Sequence, residues 1–468
     1  MILSNGTYRI FGWALSAYLS CVQMSLAQEA TVESQPSATP TRLRLTPMRP
    51  PQPAMKYELL PKAIDRKPGN AVVHYGKVKS EQNNFFSSKE VAKTIELAQE
   101  RPLSELKTKA EFDVLLKLGM IYSSLKRGAQ CEHADWQLPI REEFFGTILL
   151  PEVQESRSFG RLLQGRARVQ MARGDFEGSI DTIQTGMSLA RHVARGETLI
   201  NGFVGSAIAG IMLESVQELI AQPGSPNLYW ALSTLPSPLI DLRPGFEFEQ
   251  YILYWTEPKW LHPELMHGDE DFWRGEVERL WRHVGGFKEE TKEKTSLVAH
   301  IIRGYASAKK RLLDRGFKSD EVESMPVAKA IMIDVLHQYN CNRDAQIAVV
   351  QQALLDPTRI PQLTKVELHQ HPESLPVSMA LGVETYSSLI TVVLRTRRSV
   401  AILQVIEAIK MHAAETGKLP SRLNDITSVI IPNDPSTKQP FSYELNNDVA
   451  VISSSTLKVP VRLELTLN

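Results

Sequence analysis

Apolar residues recur every three or four positions through residues 151–221, and this periodicity constrains the fold more than any other feature. The stretch reads "PEVQESRSFGRLLQGRARVQMARGD", "FEGSIDTIQTGMSLARHVARG" and "ETLINGFVGSAIAGIMLESVQELIA". Each segment has the length of an ordinary globular helix, and glycine stands at or near the first two ends. Similar segments precede and follow this stretch. The pattern predicts a mainly α fold, an irregular array of helical hairpins.

The junction "ARGDFEGSI" (172–180) is similar to the turn between the two helices of a tetratricopeptide repeat. Gly174 lets the chain turn, and Phe176 is placed to pack back on both helices. A second copy is absent at the expected spacing of about 34 residues, which favours an irregular array. In the next segment Gly205 lies on a small-residue face, which predicts a central helix packed closely by its neighbours.

The charge balance excludes some partners and cofactors. Lys and Arg together number 53, as do Asp and Glu, so no global field favours nucleic acid. The sequence contains no phosphate loop, dinucleotide fingerprint, CxxC pair or HExxH helix. We therefore predict no cofactor, no catalytic residue and no nucleic-acid partner.

The first 27 residues are typical of a secretory signal peptide. Arg9 precedes the apolar run "IFGWALSAYLSCV", and Ser25 and Ala27 place small residues where signal peptidase cleaves. Cleavage after Ala27 predicts an exported protein of the periplasm, cell envelope or medium. Cys21 offers an alternative as a lipoprotein acceptor. The longest later apolar stretch, 200–213, is too short to predict a transmembrane segment in the mature chain.

Composition suggests three regions after the signal peptide. Residues 28–85 are rich in Pro, Ser and Thr and locally basic, which predicts a disordered linker. Residues 86–375 form the predicted helical domain. Residues 376–468 contain a long helix, at about 377–416, followed by alternating runs around an Asn-Asn-Asp turn. These runs predict a small antiparallel sheet.

Histidines in "KVELHQHPE" pose the question of a metal site. His369 and His371 alternate as on a strand, and the motif is similar to the first zinc ligands of adenosine-deaminase-type amidohydrolases. That barrel requires many strands and further ligands after this motif. Only 97 residues follow His371, and His412 is the one histidine among them. We therefore predict no metal here.

A second candidate, "CEHADW" (131–136), offers Cys131, His133 and Asp135 as ligands but has no evident fourth one nearby. The structural interpretation is that Cys131 and Trp136 close one end of a helical layer. Cys341 is the other cysteine after the signal peptide. In an oxidising compartment the two thiols can form a disulfide or remain buried as small apolar groups.

Aromatic residues are concentrated between Trp230 and Trp281. They line a sugar or peptide groove in one interpretation, and fill a core between short helices in the other. Catalysis at a groove would require two facing carboxylates. The candidates for such a pair are Asp241, Glu247, Glu249 and Glu257.

From about residue 130 onward the chain resembles a family of uncharacterised exported proteins abundant in planctomycete bacteria. The resemblance rests on "CEHADW", "LLPEVQ", "GDF" and "LARH", and on "VIEAIKMHAAETGKLP" and "DPSTKQPFSY" near the end. Asp434 and Pro435 begin the last motif. Lys438 stands where that family usually has glycine in a left-handed turn. The resemblance implies no known activity.

The C-terminal part is also similar to the end of type II secretion pseudopilins, which combine a long helix, "GKLP" and a small sheet. Three functional hypotheses follow. The first is a non-catalytic interaction or scaffold protein with an unidentified protein partner. The second is a hydrolase or carbohydrate-active enzyme that uses the aromatic region. The third is a secretion or assembly component.

Overall fold

The computed structural model describes residues 40–142, 148, 150–283, 290–356, 383–454 and 460–468. Within these ranges the chain is mainly helical and carries a small C-terminal sheet, which confirms the predicted fold class. The predicted signal peptide lies outside the described residues, as do His369 and His371.

Fourteen α-helices lie within the described ranges. They are α1 (Ala71–Ser87), α2 (Lys89–Glu100), α3 (Leu103–Thr108), α4 (Met120–Ala129), α5 (Pro151–Ala172), α6 (Phe176–Ala194), α7 (Leu199–Ile220), α8 (Tyr229–Ser233), α9 (Arg243–Gln250), α10 (Glu270–His283), α11 (Glu290–Asp314), α12 (Ser319–Ser324), α13 (Val327–Leu355) and α14 (Val383–Thr416). Short 3₁₀ turns occupy Ala63–Asp65, Ala110–Leu115, Pro258–Leu261, Pro263–Leu265 and Leu423–Asp425.

The chain divides into two compact units. The larger unit comprises residues 28–137, 150–245 and 391–468, and the smaller one includes 138–149 and 246–390. This division differs from the predicted boundary at residue 375. The C-terminal sheet and α14 from residue 391 onward belong to the same unit as the helices of the 151–221 stretch.

Helices α5 and α6 form the predicted hairpin. Gly174 takes a positive φ of 79° between them, a backbone conformation that side chains with a Cβ rarely adopt. Asp175 caps α6, because its carboxylate accepts a hydrogen bond from the amide of Gly178 at 2.9 Å. Phe176 is half-buried, and its ring approaches Gly224 in the turn after α7.

Helix α7 is the central helix that its small residues predict. A Cβ at Gly205 would lie 2.5 Å from the carbonyl oxygen of Ala190 on α6, so this glycine permits the close contact between the two helices. Among the described residues α7 is also the one helix with the length and apolar character to cross a membrane. Its most apolar stretch is 78 % buried inside the protein, as expected for a core helix.

The strands form two sheets. The main sheet has the order β1–β6–β5–β4, with β4 (Ser442–Asn446), β5 (Val449–Ser454) and β6 (Val461–Leu467) antiparallel in succession. A two-residue turn joins β4 to β5 at the predicted Asn-Asn-Asp sequence, with Asn447 at a φ of 54°. A small second sheet pairs β2 (Lys67–Asn70) with β3 (Cys131–His133) in parallel.

Strand β1 (Thr41–Leu45) lies in the region 28–85, which the sequence predicts to be a disordered linker, and it corrects that prediction for the described residues of the region, from 40 onward. It pairs in parallel with β6, where Leu43 lies opposite Leu465, and Leu45 is fully buried. Helix α1 occupies the end of the same region. The Pro- and Thr-rich composition conceals this order, because the strand gains its partner from a segment more than 400 residues away in sequence.

The smaller unit is built around aromatic side chains. Helices α10, α11 and α13 pack on the segment that follows α9, and Trp260 and Trp273 are fully buried at the centre. Tyr254 and Tyr339 pack edge to face, with ring centroids 6.3 Å apart. The aromatic sequence from Phe248 to Trp281 thus provides a hydrophobic core for this unit.

A buried ion pair on α14 joins several segments of the larger unit. Glu407 and Lys410 are 0 % and 1 % exposed, and their charged atoms lie 3.1 Å apart. Glu407 accepts the amide of Leu228 at 3.0 Å, and Lys410 donates to the carbonyl of Ile220 at 2.9 Å. Burial raises the pKa of Glu407, while Lys410 and the Leu228 amide act in the opposite direction.

This pair predicts a specific pattern of stabilities. Lys410→Met should lower the free energy of unfolding by about 3–5 kcal/mol, because it leaves the Glu407 carboxylate buried without its partner. The double variant Glu407→Leu/Lys410→Met should recover much of that loss. Chemical denaturation followed by circular dichroism measures both. Lys418→Met, at an exposed position just beyond the helix, is the control and should change stability by less than about 0.5 kcal/mol. Equal losses for Lys410→Met and Lys418→Met would contradict this account.

Candidate functional site

A basic pocket in the larger unit collects side chains from distant parts of the sequence. Its volume is about 440 Å³, within the range of small-ligand sites. Arg66 enters from the segment before β2, and Arg191 and Arg195 project from the last turns of α6. We call these residues and the space between them the basic pocket. Cys131 and His192 complete its inner wall.

His192 is held as a neutral imidazole. It is 4 % exposed, and burial lowers its pKa to about 3, with Arg195 and Arg191 adding to the effect. Its Nδ1 lies 2.8 Å from the hydroxyl of Tyr75, and the backbone of Cys131 forms a further hydrogen bond with the ring. The carbonyl of Cys131 can only accept, so Nε2 carries the proton and Nδ1 accepts from Tyr75. The ring therefore ties α6 to α1 and β3.

The two residues that the sequence singled out in "CEHADW" lie where the structural interpretation puts them. Cys131 is buried, and its thiol donates to the carbonyl of Arg127 at 3.4 Å. Trp136 is 8 % exposed and donates from Nε1 to the carbonyl of His192 at 3.0 Å. Together they close the end of the layer formed by α4 and α6, next to the basic pocket.

Neither thiol is in a disulfide. Cys131 and Cys341 are free, and Cys341 is exposed rather than buried. Burial raises the pKa of the Cys131 thiol, which disfavours the nucleophilic thiolate. Among the described residues, no group of three His, Cys, Asp or Glu side chains is arranged to hold a metal ion. The "CEHADW" segment is thus part of the wall of the pocket.

Electrostatic strain distinguishes Arg191 from its neighbours. Arg66 donates to the carbonyl of Pro61 at 3.3 Å, and Arg195 donates to that of Glu132 at 2.8 Å. Arg191 makes no hydrogen bond or ion pair within the described ranges. Burial lowers its pKa, the charges of Arg195 and Arg66 lower it further, and Asp241 acts in the opposite direction. An anion in the pocket would offset this repulsion.

Asp434 and Pro435, the remaining sequence candidates, lie in a structural turn. Asp434 accepts the amide of Ser436 at 2.8 Å and the hydroxyl of Ser454 on β5 at 2.6 Å. Its own backbone carbonyl accepts the amide of Lys438 at 2.8 Å. Lys438 adopts a φ of 61°, a left-handed backbone conformation that glycine adopts most readily.

The central aromatic side chains of the smaller unit are packed inside the protein and do not line an open groove. Trp260 donates from its indole to Glu276 at 2.7 Å inside the core, and Trp255 stacks on Phe248 with centroids 6.3 Å apart. Both large indoles at the centre, Trp260 and Trp273, are closed to solvent. These side chains are engaged with protein atoms instead of lining an open surface.

Two carboxylates of this region, Glu257 and Glu276, are bridged by cations. Lys259 contacts both Glu276, at 2.8 Å, and Glu257, at 3.6 Å, and Arg279 contacts the same two acids. Burial raises the pKa of Glu276, but hydrogen bonds from Lys259 and Trp260 outweigh it and the net shift is downward. A general acid needs a raised pKa, so this arrangement disfavours that role. Asp241, another acid proposed from sequence, belongs to the larger unit and pairs with Arg243.

Comparison with protein-family models, with curated proteins and with solved structures finds no match to this chain. The basic pocket therefore has to be interpreted from its own chemistry.

The arginines of the pocket were missed in the sequence for two reasons. Arg66 falls in the segment predicted to be disordered. Arg191 and Arg195 belong to "ARHVAR", where like charges four residues apart repel on one helix face. This spacing of Arg191 and Arg195 was the one feature of the local sequence that indicated the pocket. Two like charges so placed destabilise a helix unless another group neutralises them.

His192 predicts a pH dependence of stability. Its folded pKa of about 3 lies below the ordinary value of 6.5, so the unfolded chain takes up a proton between these values and the folded chain does not. The contribution of the neutral His192 to the free energy of unfolding is therefore fully present above pH 6.5. It is lost as the pH falls, by up to about 1.4 kcal/mol per pH unit. His192→Gln should flatten the dependence between pH 6.5 and 5, measured by urea denaturation.

The control for this measurement is His133→Gln, at an exposed position in the same unit. It should leave the dependence between pH 6.5 and 5 as in the unmodified chain. If His192→Gln and His133→Gln gave the same slope, the buried neutral histidine would not be the cause.

Proposed function

We propose that this chain is an exported, non-catalytic binding protein of the cell envelope or extracellular space, which holds an acidic segment of a protein partner in the basic pocket. The observation that carries the proposal is Arg191. Its guanidinium is half-buried beside two other arginines and makes no hydrogen bond or ion pair with the described parts of the chain, although the Asp241 carboxylate acts on its pKa. A carboxylate would form charge-assisted hydrogen bonds there.

Binding is favoured over catalysis because the proton-transfer groups near the pocket are already engaged. His192 is held between Tyr75 and the Cys131 backbone, and burial raises the pKa of Tyr75 well above its ordinary range. A general base needs a pKa near the working pH and a free nitrogen aimed at the substrate. The imidazole meets neither condition.

The acidic partner is favoured by the balance of charge around the pocket. Arg66, Arg191 and Arg195 line it, against Glu58 and Glu132. The inner wall supplies the hydroxyl of Ser188, which is already bonded to the carbonyl of Ala129 at 2.6 Å. The lining has a surplus of one positive charge, which suits a carboxylate of the ligand, and the planar guanidinium groups match the geometry of a carboxylate.

The alternative of a secretion or assembly component rests on a different feature. Strand β4 is five residues long and forms an edge of the main sheet. An edge strand offers unpaired backbone groups to another chain, but its charged Glu444 is typical of edges that are protected from pairing. The enzyme alternative receives less support, because Glu257 and Glu276 in the aromatic region are paired with Lys259 and Arg279.

The basic pocket predicts a distinctive effect of Arg191→Gln. Hexaglutamate should bind the unmodified chain in calorimetric titration and raise its melting temperature, and the variant should bind about tenfold more weakly or worse. The variant without ligand should be as stable as the unmodified chain or more so, because the substitution removes repulsion among the arginines.

Arg462→Gln, an exposed arginine on β6, is the matched control and should leave hexaglutamate binding unchanged. Hexaglutamine tests whether charge is required. The proposal fails if hexaglutamine binds equally well, or if Arg191→Gln destabilises the chain and leaves the affinity as it was.

A further inference from the structure

A second opening in the larger unit lies between α5, α7, α14 and β6. Its volume is about 530 Å³, again within the range of small-ligand sites. It shares no lining residue with the basic pocket. We call it the α7 cleft, because residues of α7 from Ser206 to Gln217 form its floor.

The lining of the α7 cleft includes three arginines. Arg157 and Arg161 project from the same face of α5, four residues apart, and Arg395 projects from α14. Glu214 is the single carboxylate in the described lining. Burial raises the pKa of Glu214 and Glu218 raises it further, while a hydrogen bond from Gln164 acts in the opposite direction. The cleft therefore carries a positive surplus that favours an anion.

The lining of the α7 cleft also has an apolar part. Ile211 on α7, Ile402 on α14 and Val461 and Leu463 on β6 contribute to it. Apolar and polar surfaces thus face the same space. A ligand that fits both has one anionic end and an apolar body, since such a body gains about 25 cal/mol for each Å² that it removes from water.

Gly210 supports this interpretation. It lies in the middle of α7, where glycine costs a helix about 1 kcal/mol relative to alanine. Gly202 and Gly205 are explained by packing, because a Cβ at either would collide with Leu242 or with α6. A Cβ at Gly210 would meet no atom within 4 Å, and this glycine lines the cleft. Its effect is to keep space open inside the cleft.

We infer that the α7 cleft binds a small amphipathic anion, a carboxylate on an aliphatic chain of medium length, with the carboxylate toward Arg157 and Arg161 on α5 and the chain toward Val461 and Leu463 on β6. This site is separate from the acidic-partner site of the proposed function, and neither proposal requires the other. Decanoate is the probe, because its volume is below that of the cleft.

The test is calorimetric titration of the full chain with decanoate, on proteins shown to be folded by circular dichroism. Gly210→Leu should weaken binding by about tenfold or more, because the leucine fills the cleft. Gly210→Ala should melt at a higher temperature and keep most of the affinity. Arg161→Gln, at an exposed position, should also weaken binding and provides the result if Gly210→Leu does not fold.

Three comparisons decide the ligand class and the location. Acetate lacks the apolar body and 1-decanol lacks the charge, so both should bind about tenfold more weakly than decanoate or worse. Arg191→Gln should leave decanoate binding unchanged, which separates this site from the basic pocket. The inference is overturned if decanoate does not saturate the chain, if Gly210→Leu and Arg161→Gln bind it normally, if acetate or 1-decanol binds equally well, or if Arg191→Gln abolishes binding.

Discussion

The buried pair of Glu407 and Lys410 is the interaction on which the architecture of the larger unit depends. Two charges placed beyond the reach of water are tolerated only when each finds its partner and further hydrogen bonds. Here those bonds come from the carbonyl of Ile220 and the amide of Leu228. At the same turn of α14, the amide of Met48 donates to the backbone carbonyl of Lys410 at 3.2 Å. A helix near the C-terminus, a turn in the middle of the sequence and the N-terminal arm are thus fixed to one another at a single point.

This constraint also positions the basic pocket. The arm that is fixed at Met48 continues through the pocket residues Glu58 to Arg66, and the turn fixed at Leu228 continues to Thr234 and its neighbours on the same rim. The inner wall has its own support in His192, which joins three elements as a neutral ring. A rigid, desolvated wall strengthens the field of the arginines in front of it. The proposed anion site is therefore preorganised. Its titratable side chains, His192 and Tyr75, hold the wall of the pocket together.

Sequence periodicity was sufficient to predict the main helices and the C-terminal β-hairpin, because both depend on the spacing of apolar residues that are close in the sequence. Gly174 and Gly205 were identified correctly, since a turn and a close helix contact each have a residue signature. Strand β1 was not predicted, because its five residues acquire strand geometry only by pairing with a distant segment. For the same reason the sequence did not predict that the segment carrying Arg66 is ordered. The pocket itself could not be predicted, because it is assembled from residues that are ordinary in their local context. The aromatic region was conspicuous in the sequence, but its composition alone did not distinguish a ligand-binding groove from the hydrophobic core that Trp260 and Trp273 form.

The most direct test of the account is a crystal structure of this chain grown with a glutamate-rich peptide. The account predicts a peptide carboxylate in the basic pocket, with oxygen atoms about 2.7–2.9 Å from the guanidinium of Arg191. A structure in which Arg191 is paired with Glu58, Glu132 or another carboxylate of its own chain, and in which the peptide is absent from the pocket or bound elsewhere, would contradict it.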